Sequence, residues 1–295
     1  MTQAERIALG TIGIGVVVLG LKMAAWRVTG SAALFSDAAE TVVNVVASFV
    51  ALFALRLSAR PADANHPYGH TKIEFIAAVI EGALIVLAAV EILRHAWNAF
   101  LAPEPLEAPL LGMGMNALAT VFNGFWAWVL LRAGRRLRSP ALEGDSRHLS
   151  SDVVTSAGVL LGVTLVFATG QHWLDPLLAA ATACYILYSG SRLILESVSG
   201  LMDQAPGPEV IERVRRIVAS GAEGAIEAHD LRMRHAGPAS FLEFHLVVPG
   251  GMTVAEAHTI CDRLESALEA DHPGLQVTIH VEPEGKAKHA GVLVI

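Results

Sequence analysis

Residues 32–57 read AALFSDAAETVVNVVASFVALFALRL. A helix needs about 20 apolar residues to cross the hydrocarbon core of a bilayer. This run is longer than that, yet it carries Asp37, Glu40 and Asn44 in its first half. It is too long and too apolar for the amphipathic helix of a soluble protein. Five further runs share its character, at about 7–28, 75–100, 106–131, 150–169 and 174–198. Lipid offers backbone N–H and C=O groups no water to bond, so each run is expected to be a membrane-spanning helix. The first is not a cleavable signal peptide, because its apolar stretch is too long and the second span follows almost at once.

The composition agrees. Of 295 residues, 53% are hydrophobic and 17% charged, against about 25% charged in soluble domains. That balance excludes a disordered chain and argues against an ordinary cytosolic enzyme. Two cysteines, Cys184 and Cys261, exclude a disulfide scaffold and a Cys-rich zinc module. A formal charge of −7 argues against nucleic acid as a partner. The charge is unevenly spread: residues 201–295 hold 8 Lys+Arg against 14 Asp+Glu, and 7 of the 12 His. The chain therefore reads as two domains, a six-span transmembrane domain over residues 1–202 and an acidic, His-rich cytoplasmic domain over residues 203–290.

Loop charges set the orientation. The connection between spans 2 and 3 carries Arg56, Arg60 and Lys72, and that between spans 4 and 5 carries Arg132, Arg135, Arg136, Arg138 and Arg147. The other side has Lys22, Arg27 and Arg94, with acidic Glu104 and Glu107. Positive loops stay in the cytoplasm, so both termini are expected there, in a bacterial inner membrane. The tail reads as α+β in the order αββαβ. Pro206-Gly207-Pro208 opens a helix to about residue 220, strands follow at 225–233 and 241–248, Thr253 or a neighbour caps a helix through 270, and a strand runs over 275–282. Gly237-Pro238 is the hairpin turn.

Ionisable groups inside a span are costly and are functional candidates by default. Glu40 and Asn44 are four apart on span 2, and His148 and Asp152 are four apart at the start of span 5, so each pair shares a helix face. Facing each other, they would offer four N/O ligands, a set that suits tetrahedral Zn²⁺ and also accepts Fe²⁺, Co²⁺, Ni²⁺ or Mn²⁺. The plainer alternative is a polar pair that holds helices together, and Asp37 reads as a charge favouring a helix N-terminus. Glu81 and Glu91 are further acids of span 3 with no assigned role. Residues 60–74 read RPADANHPYGHTKIE, where Asp63, His66 and His70 crowd a short loop with metal-ligand chemistry or simply face water.

Taken in order, these segments resemble the cation diffusion facilitator family of membrane metal exporters. The resemblance rests on 37–44 in span 2, the loop 61–70, His148 and Asp152 in span 5, Leu201-Met202-Asp203 at the hinge, His229-Asp230-Leu231-Arg232, and His280-Val281-Glu282-Pro283. It covers essentially the whole chain. It implies that Glu40, Asn44, His148 and Asp152 form the transport site and that Asp63, His66 and His70 form a loop site. It implies that His229, His245, His258, His280 and Glu282 bind metal at the cytoplasmic dimer interface. Lys72 and Asp203 would couple the loop to the hinge across the dimer, and the tail would be ferredoxin-like. The family's span 2 positions usually carry two Asp, or His and Asp, so Glu40 with Asn44 leaves the site one formal charge short. Glu282 stands where Asp is more usual. His235, His272 and His289 match no role and read as surface residues.

The expectation is a homodimeric secondary transporter rather than an enzyme. It would take divalent transition metal, Zn²⁺ first, as substrate and regulatory ligand, with protons and the lipid bilayer as its other partners. No GxxxxGK[ST] and no HExxH occurs in the chain, which argues against a P-loop ATPase and an intramembrane metalloprotease. The missing charge at Asn44 keeps one alternative open, a non-transporting membrane metal sensor or scaffold of the same fold.

Overall fold

The computed structural model describes residues 3–102, 107–137, 140–237, 239–288 and 293–294. Six long helices come first: α1 Gln3–Thr29, α2 Ala32–Ser58, α3 Ile73–Leu101, α4 Pro109–Leu137, α5 Pro140–Thr169 and α6 Leu174–Leu201. Each contains a stretch long and apolar enough to cross a membrane. The connection between spans 4 and 5 is shorter than the sequence reading has it. Arg132, Arg135 and Arg136 fall within α4 and Arg147 within α5, because α5 begins ten residues before its apolar stretch.

The chain forms two compact units, Met1–Arg56 with Ala77–Leu195, and Leu57–Ile76 with Glu196–Ile295. In the first, Gly30 at φ +67° turns α1 into α2. A helix start leaves several N–H groups without intrahelical partners, and here a carboxylate from another helix meets them. Asp175, at the start of α6, accepts from Ser31 Oγ at 2.6 Å and from the Ala33 N–H at 3.4 Å, and also takes the Ala32 N–H. Ala25, Ala33, Leu34, Val159 and Val163 pack α1, α2 and α5 together. Helices α3 and α6 cross at two glycines: a Cβ on Gly82 would lie 2.6 Å from Ile194 Cγ1, and one on Gly190 would lie 2.5 Å from Ile85 Cγ2. Small residues at a crossing are what let helices approach closely in lipid.

In the second unit, α7 Pro208–Gly221, β1 Glu227–Ala236, β2 Ala239–Val248, α8 Val254–Asp271 and β3 Leu275–Pro283 follow the αββαβ order, with a two-residue β4 Leu293–Val294 added. The sheet order is β3-β2-β1-β4. Strands β1 and β2 form the hairpin, and β2 and β3 run parallel, joined by the crossover helix that parallel pairing requires. Leu242, Phe244, Leu246 and Val248 alternate along β2 and pack with Val214 and Val218 of α7 and Ile260, Leu264 and Leu268 of α8. Alternation sends His245 to the other face of the sheet. Thr253 caps α8 in a reciprocal box with Glu256.

Candidate metal centres

In the first unit, Asp37, Glu40 and Asn44 follow one another along a single face of α2, and Asp152 and Ser156 along one face of α5. The Asn44 amide Nδ2 donates to Asp152 Oδ2 at 2.9 Å. Glu40, Asn44 and Asp152 line one cavity of about 100 Å³, bounded by Val43, Ile85, Ala88 and Tyr185. This is room for an ion and some of its shell, since about 10–15 Å³ of such space admits one water. His148 lies within α5 one turn before Asp152, but its side chain is outside the described residues.

Lys22 departs from the sequence reading, which counted it among the charges of the outer side. It is 2% exposed, and Asp37 is equally buried. Lys22 Nζ donates to Asp37 Oδ1 at 2.8 Å and to Ser156 Oγ at 3.0 Å. The Ser156 hydroxyl donates to the same Asp37 oxygen at 2.8 Å. An uncompensated ammonium costs several kcal/mol in such a setting. Asp37 is therefore an ion-pair partner, beyond any effect of its charge at a helix start.

The loop of the second unit holds a tight group. Asp63 Oδ1 accepts from the backbone N–H groups of Asn65 and His66 at 2.9 and 2.8 Å. His66 Nδ1 lies 3.2 Å from Oδ1 and His70 Nε2 lies 3.3 Å from Oδ2. One ligand atom from each of the three residues falls within 4.8 Å of the others. The His66 N–H, and then that of Asn65, holds the Asp63 carboxyl below its ordinary value, so it stays an anion.

On the tail sheet the register sets His229 opposite His245, and His245 opposite His280, in one row across β1, β2 and β3. Glu282 reaches all three, with its oxygens 3.4 Å from His229 Nε2, 3.3 Å from His245 Nδ1 and 3.6 Å from His280 Nε2. His229 Nδ1 lies 3.0 Å from Glu227 Oε1, while its Nε2 is buried with no hydrogen bond. A buried polar atom normally finds a partner, and three imidazoles with a carboxylate are a ligand set that fits Zn²⁺. Asp230 joins this group, with an oxygen within 4.8 Å of ligand atoms of His229 and His245. The sequence reading missed it because strict alternation puts residue 230 on the opposite face from 229. A bulge between His229 and Arg232, with Asp230 at φ +53°, breaks that alternation. Lys288 Nζ sits 2.6 Å from Asp230 Oδ2 and holds that carboxyl below its usual value.

Residues 10–202 match the model of the cation efflux transmembrane domain, and residues 206–284 match that of the cation efflux protein cytoplasmic domain. The chain belongs to the cation diffusion facilitator family. Among its relatives, an uncharacterized transporter of Synechocystis, sll1263, is 42% identical over 280 residues, which is 95% of this chain and 90% of that one. The cation-efflux pump FieF of Yersinia enterocolitica is 33% identical over 293 residues, 97% of this chain and 96% of that one. A solved structure described as that of a putative zinc transporter, CzrB, in its Zn form is 56% identical, covering 29% of this chain and 98% of that one, with a TM-score of 0.28. This facilitator is thus an integral membrane protein of cation efflux, a transporter family rather than an enzyme family.

A single chain holds two further expected features as follows. His258 lies on α8, 68% exposed and 3.2 Å from Asp262 Oδ1. Helix α8 packs on the face of the sheet that the His row does not use, so a single chain does not bring His258 to the row. Lys72 Nζ meets Asp203 Oδ1 at 2.8 Å within one chain, whereas the family resemblance has this pair reaching across a dimer. Arg234 joins it, 3.0 Å from the same oxygen. Arg234 also lies 4.3 Å from the Phe241 ring centre, and Tyr68 meets Phe241 edge-on at 5.8 Å. The loop 57–76 is thereby tied to the β1–β2 hairpin. His235 is half-buried, with Nδ1 2.8 Å from Ser240 Oγ and its ring stacked on His272 at 6.4 Å. His289 lies outside the described residues.

Proposed function

We propose that this chain exports divalent transition metal cations from the cytoplasm, Zn²⁺ foremost and Fe²⁺, Co²⁺, Ni²⁺ or Mn²⁺ with it, in exchange for protons and as a homodimer. The observation that carries the reading is the cavity shared by Glu40, Asn44 and Asp152, with Asn44 already 2.9 Å from Asp152. To ligate a cation, Asn44 turns its amide to present Oδ1 and leaves both Asp152 oxygens free. His148, one turn earlier on α5, completes the four ligands. Imidazole binds metal only when neutral, so metal and protons compete for it, which couples the two fluxes without ATP. The helices then expose the site to the other side by alternating access.

The tail, of the cation-efflux cytoplasmic type, gathers cations by its negative charge. Metal held by the His229, His245, His280 and Glu282 row, with His258 supplied from a neighbouring chain, tightens the dimer. It shifts the transport equilibrium by as much as it binds one state better than the other. Asp63, His66 and His70 form a second cytoplasmic site, and Lys72 with Asp203 ties that loop to the hinge. The boundary between the two domains falls near residues 202 and 203, with both termini in the cytoplasm.

The test is flux into proteoliposomes that hold a pH-sensitive dye, run with each of the five ions. Zn²⁺ uptake with a matching proton signal is expected. Metal binding to the tail without flux of any ion would instead mean a sensor or scaffold.

A further inference from the structure

Along α2 and α5 the polar side chains pair in opposite directions. Asn44 of α2 meets Asp152 of α5. Seven residues back on α2 and four forward on α5, Asp37 meets Ser156. Further in the same direction lies the dry cluster of Ala33 and Leu34 with Val159 and Val163. Three layers therefore stack along these helices: the cavity of Glu40, Asn44 and Asp152, then a layer of Lys22, Asp37 and Ser156, then apolar packing. The middle layer is bonded through one carboxylate oxygen of Asp37, while the other, Oδ2, is buried without a hydrogen bond. Lys22 Nζ, Ser156 Oγ and Asp37 Oδ1 form a triangle with sides of 2.8, 2.8 and 3.0 Å. It joins three helices, and its charges cancel.

We propose that Lys22, Asp37 and Ser156 are positioning residues of the transport site, a charge-neutral clamp that fixes the spacing of the α2 and α5 ligand faces. The clamp rests on the reading of Glu40, Asn44 and Asp152 as that site. It sets two properties. The first is geometry: Asp37 is one turn from Glu40, and Ser156 is one turn from Asp152, so a fixed distance between the first pair fixes the second. The second is charge. Lys22 cancels Asp37, so an arriving cation meets the carboxylates of Glu40 and Asp152 and no third buried charge. A chain with Asn44 in its site depends on that balance, since an unpaired ammonium one layer away would oppose the little negative charge the site has.

The experiment is a double-mutant cycle on the full chain in proteoliposomes, reading apparent KM and maximal rate for Zn²⁺. Lys22→Met leaves a buried carboxylate alone, and Asp37→Asn leaves a buried ammonium alone. Each is expected to reduce KM-normalised flux by about tenfold or more, Asp37→Asn chiefly by raising KM, while Lys22→Met with Asp37→Asn recovers the part of the loss that comes from a stranded charge and keeps a rise in KM of a few-fold from the loosened spacing. If the single variants do not reach the membrane, the double variant alone decides: it is expected to insert and transport. Additive losses, a double variant without flux, or single variants like the parent would each overturn the clamp. Asp152→Ala is run beside them. If it transports normally, the site reading fails whatever the cycle shows. If it does not transport while the cycle is additive, only the clamp fails.

Discussion

Lys22, Asp37 and Asp152 in the membrane bundle are 2%, 2% and 9% exposed, and each is held by a bond to another helix. On the tail sheet, His245 and His280 are 35% and 65% exposed and reach Glu282 only at 3.3 and 3.6 Å. The contrast follows from solvent. A charge in an apolar interior must be partnered before any cation arrives, or the fold loses several kcal/mol. A half-exposed imidazole is hydrated while it waits, so it can stand open. Losses in the bundle should therefore be near all-or-none, and losses in the tail graded.

The largest effect is expected from Asp152→Ala. It removes a carboxylate that both lines the cavity and holds Asn44. Zn²⁺ flux in proteoliposomes should fall by about 100-fold or more, as for loss of a charged ligand from a low-dielectric site. Residual flux within a few-fold of the parent would erase the contrast, because the bundle would then tolerate change as the tail does.

Next comes His245→Ala with His280→Ala. Binding of Zn²⁺ to the tail, followed by equilibrium dialysis of the full chain, should weaken by about 10–100-fold, as when supporting ligands are lost from a metal site. Flux at saturating Zn²⁺ should change little while its half-saturation moves upward. Unchanged transport at every Zn²⁺ concentration would deny the tail any regulatory part.

How much of this was legible in the sequence differs between the two regions for the same reason. The six spans and the order of the tail follow from apolar run length and from two local periodicities, so they could be read directly. So could Glu40, Asn44 and Asp152, because acids and amides stand out in apolar runs. The Lys22–Asp37 pair was not read, since a span shows depth but not which face a residue takes. A signal was available: Lys22 lies eight residues before the turn at Gly30 and Asp37 seven after it, so in a tight helical hairpin the two stand at equal depth. In the tail, the family resemblance named the histidines of the row but not Asp230, which only the bulge turns toward it. The intrachain pairing of Lys72 with Asp203 depends on where the loop docks, and no local pattern encodes that.

A smaller effect concerns that docking. Lys72, and then Arg234, holds the Asp203 carboxyl below its ordinary value. The sign follows from that direction. A depressed carboxylate stabilises the fold above its unfolded pKa, about 3.9, and the stabilisation fades as pH falls toward the folded value. Asp203 is 45% exposed, so solvent screening limits the whole contribution to about 1 kcal/mol or less. The protection factor over residues 58–76, taken relative to intrinsic amide exchange at each pH, should thus fall below about pH 4 in the parent, and Asp203→Asn should show the lower protection already at neutral pH with no further fall there. Equal protection in both would mean that Tyr68 and Arg234 against Phe241 suffice to hold the loop.

The smallest effect expected is from Thr253→Ala, and it separates the two faces of the tail. Thr253 accepts from the Glu256 N–H at 3.3 Å, and the Glu256 carboxylate takes the Thr253 N–H at 2.8 Å. Loss of such a cap costs about 1 kcal/mol. Helix α8 carries that cost into the core of Leu242, Phe244, Leu246 and Leu264. The His row lies on the other face, fixed by backbone register rather than by α8. Thermal unfolding of the tail should therefore shift down by a few degrees while its Zn²⁺ titration midpoint stays where it was. A midpoint that moved with the melting temperature would show that the metal row draws its geometry from the helix layer, and that the tail, like the bundle, holds its ligands in place through packing.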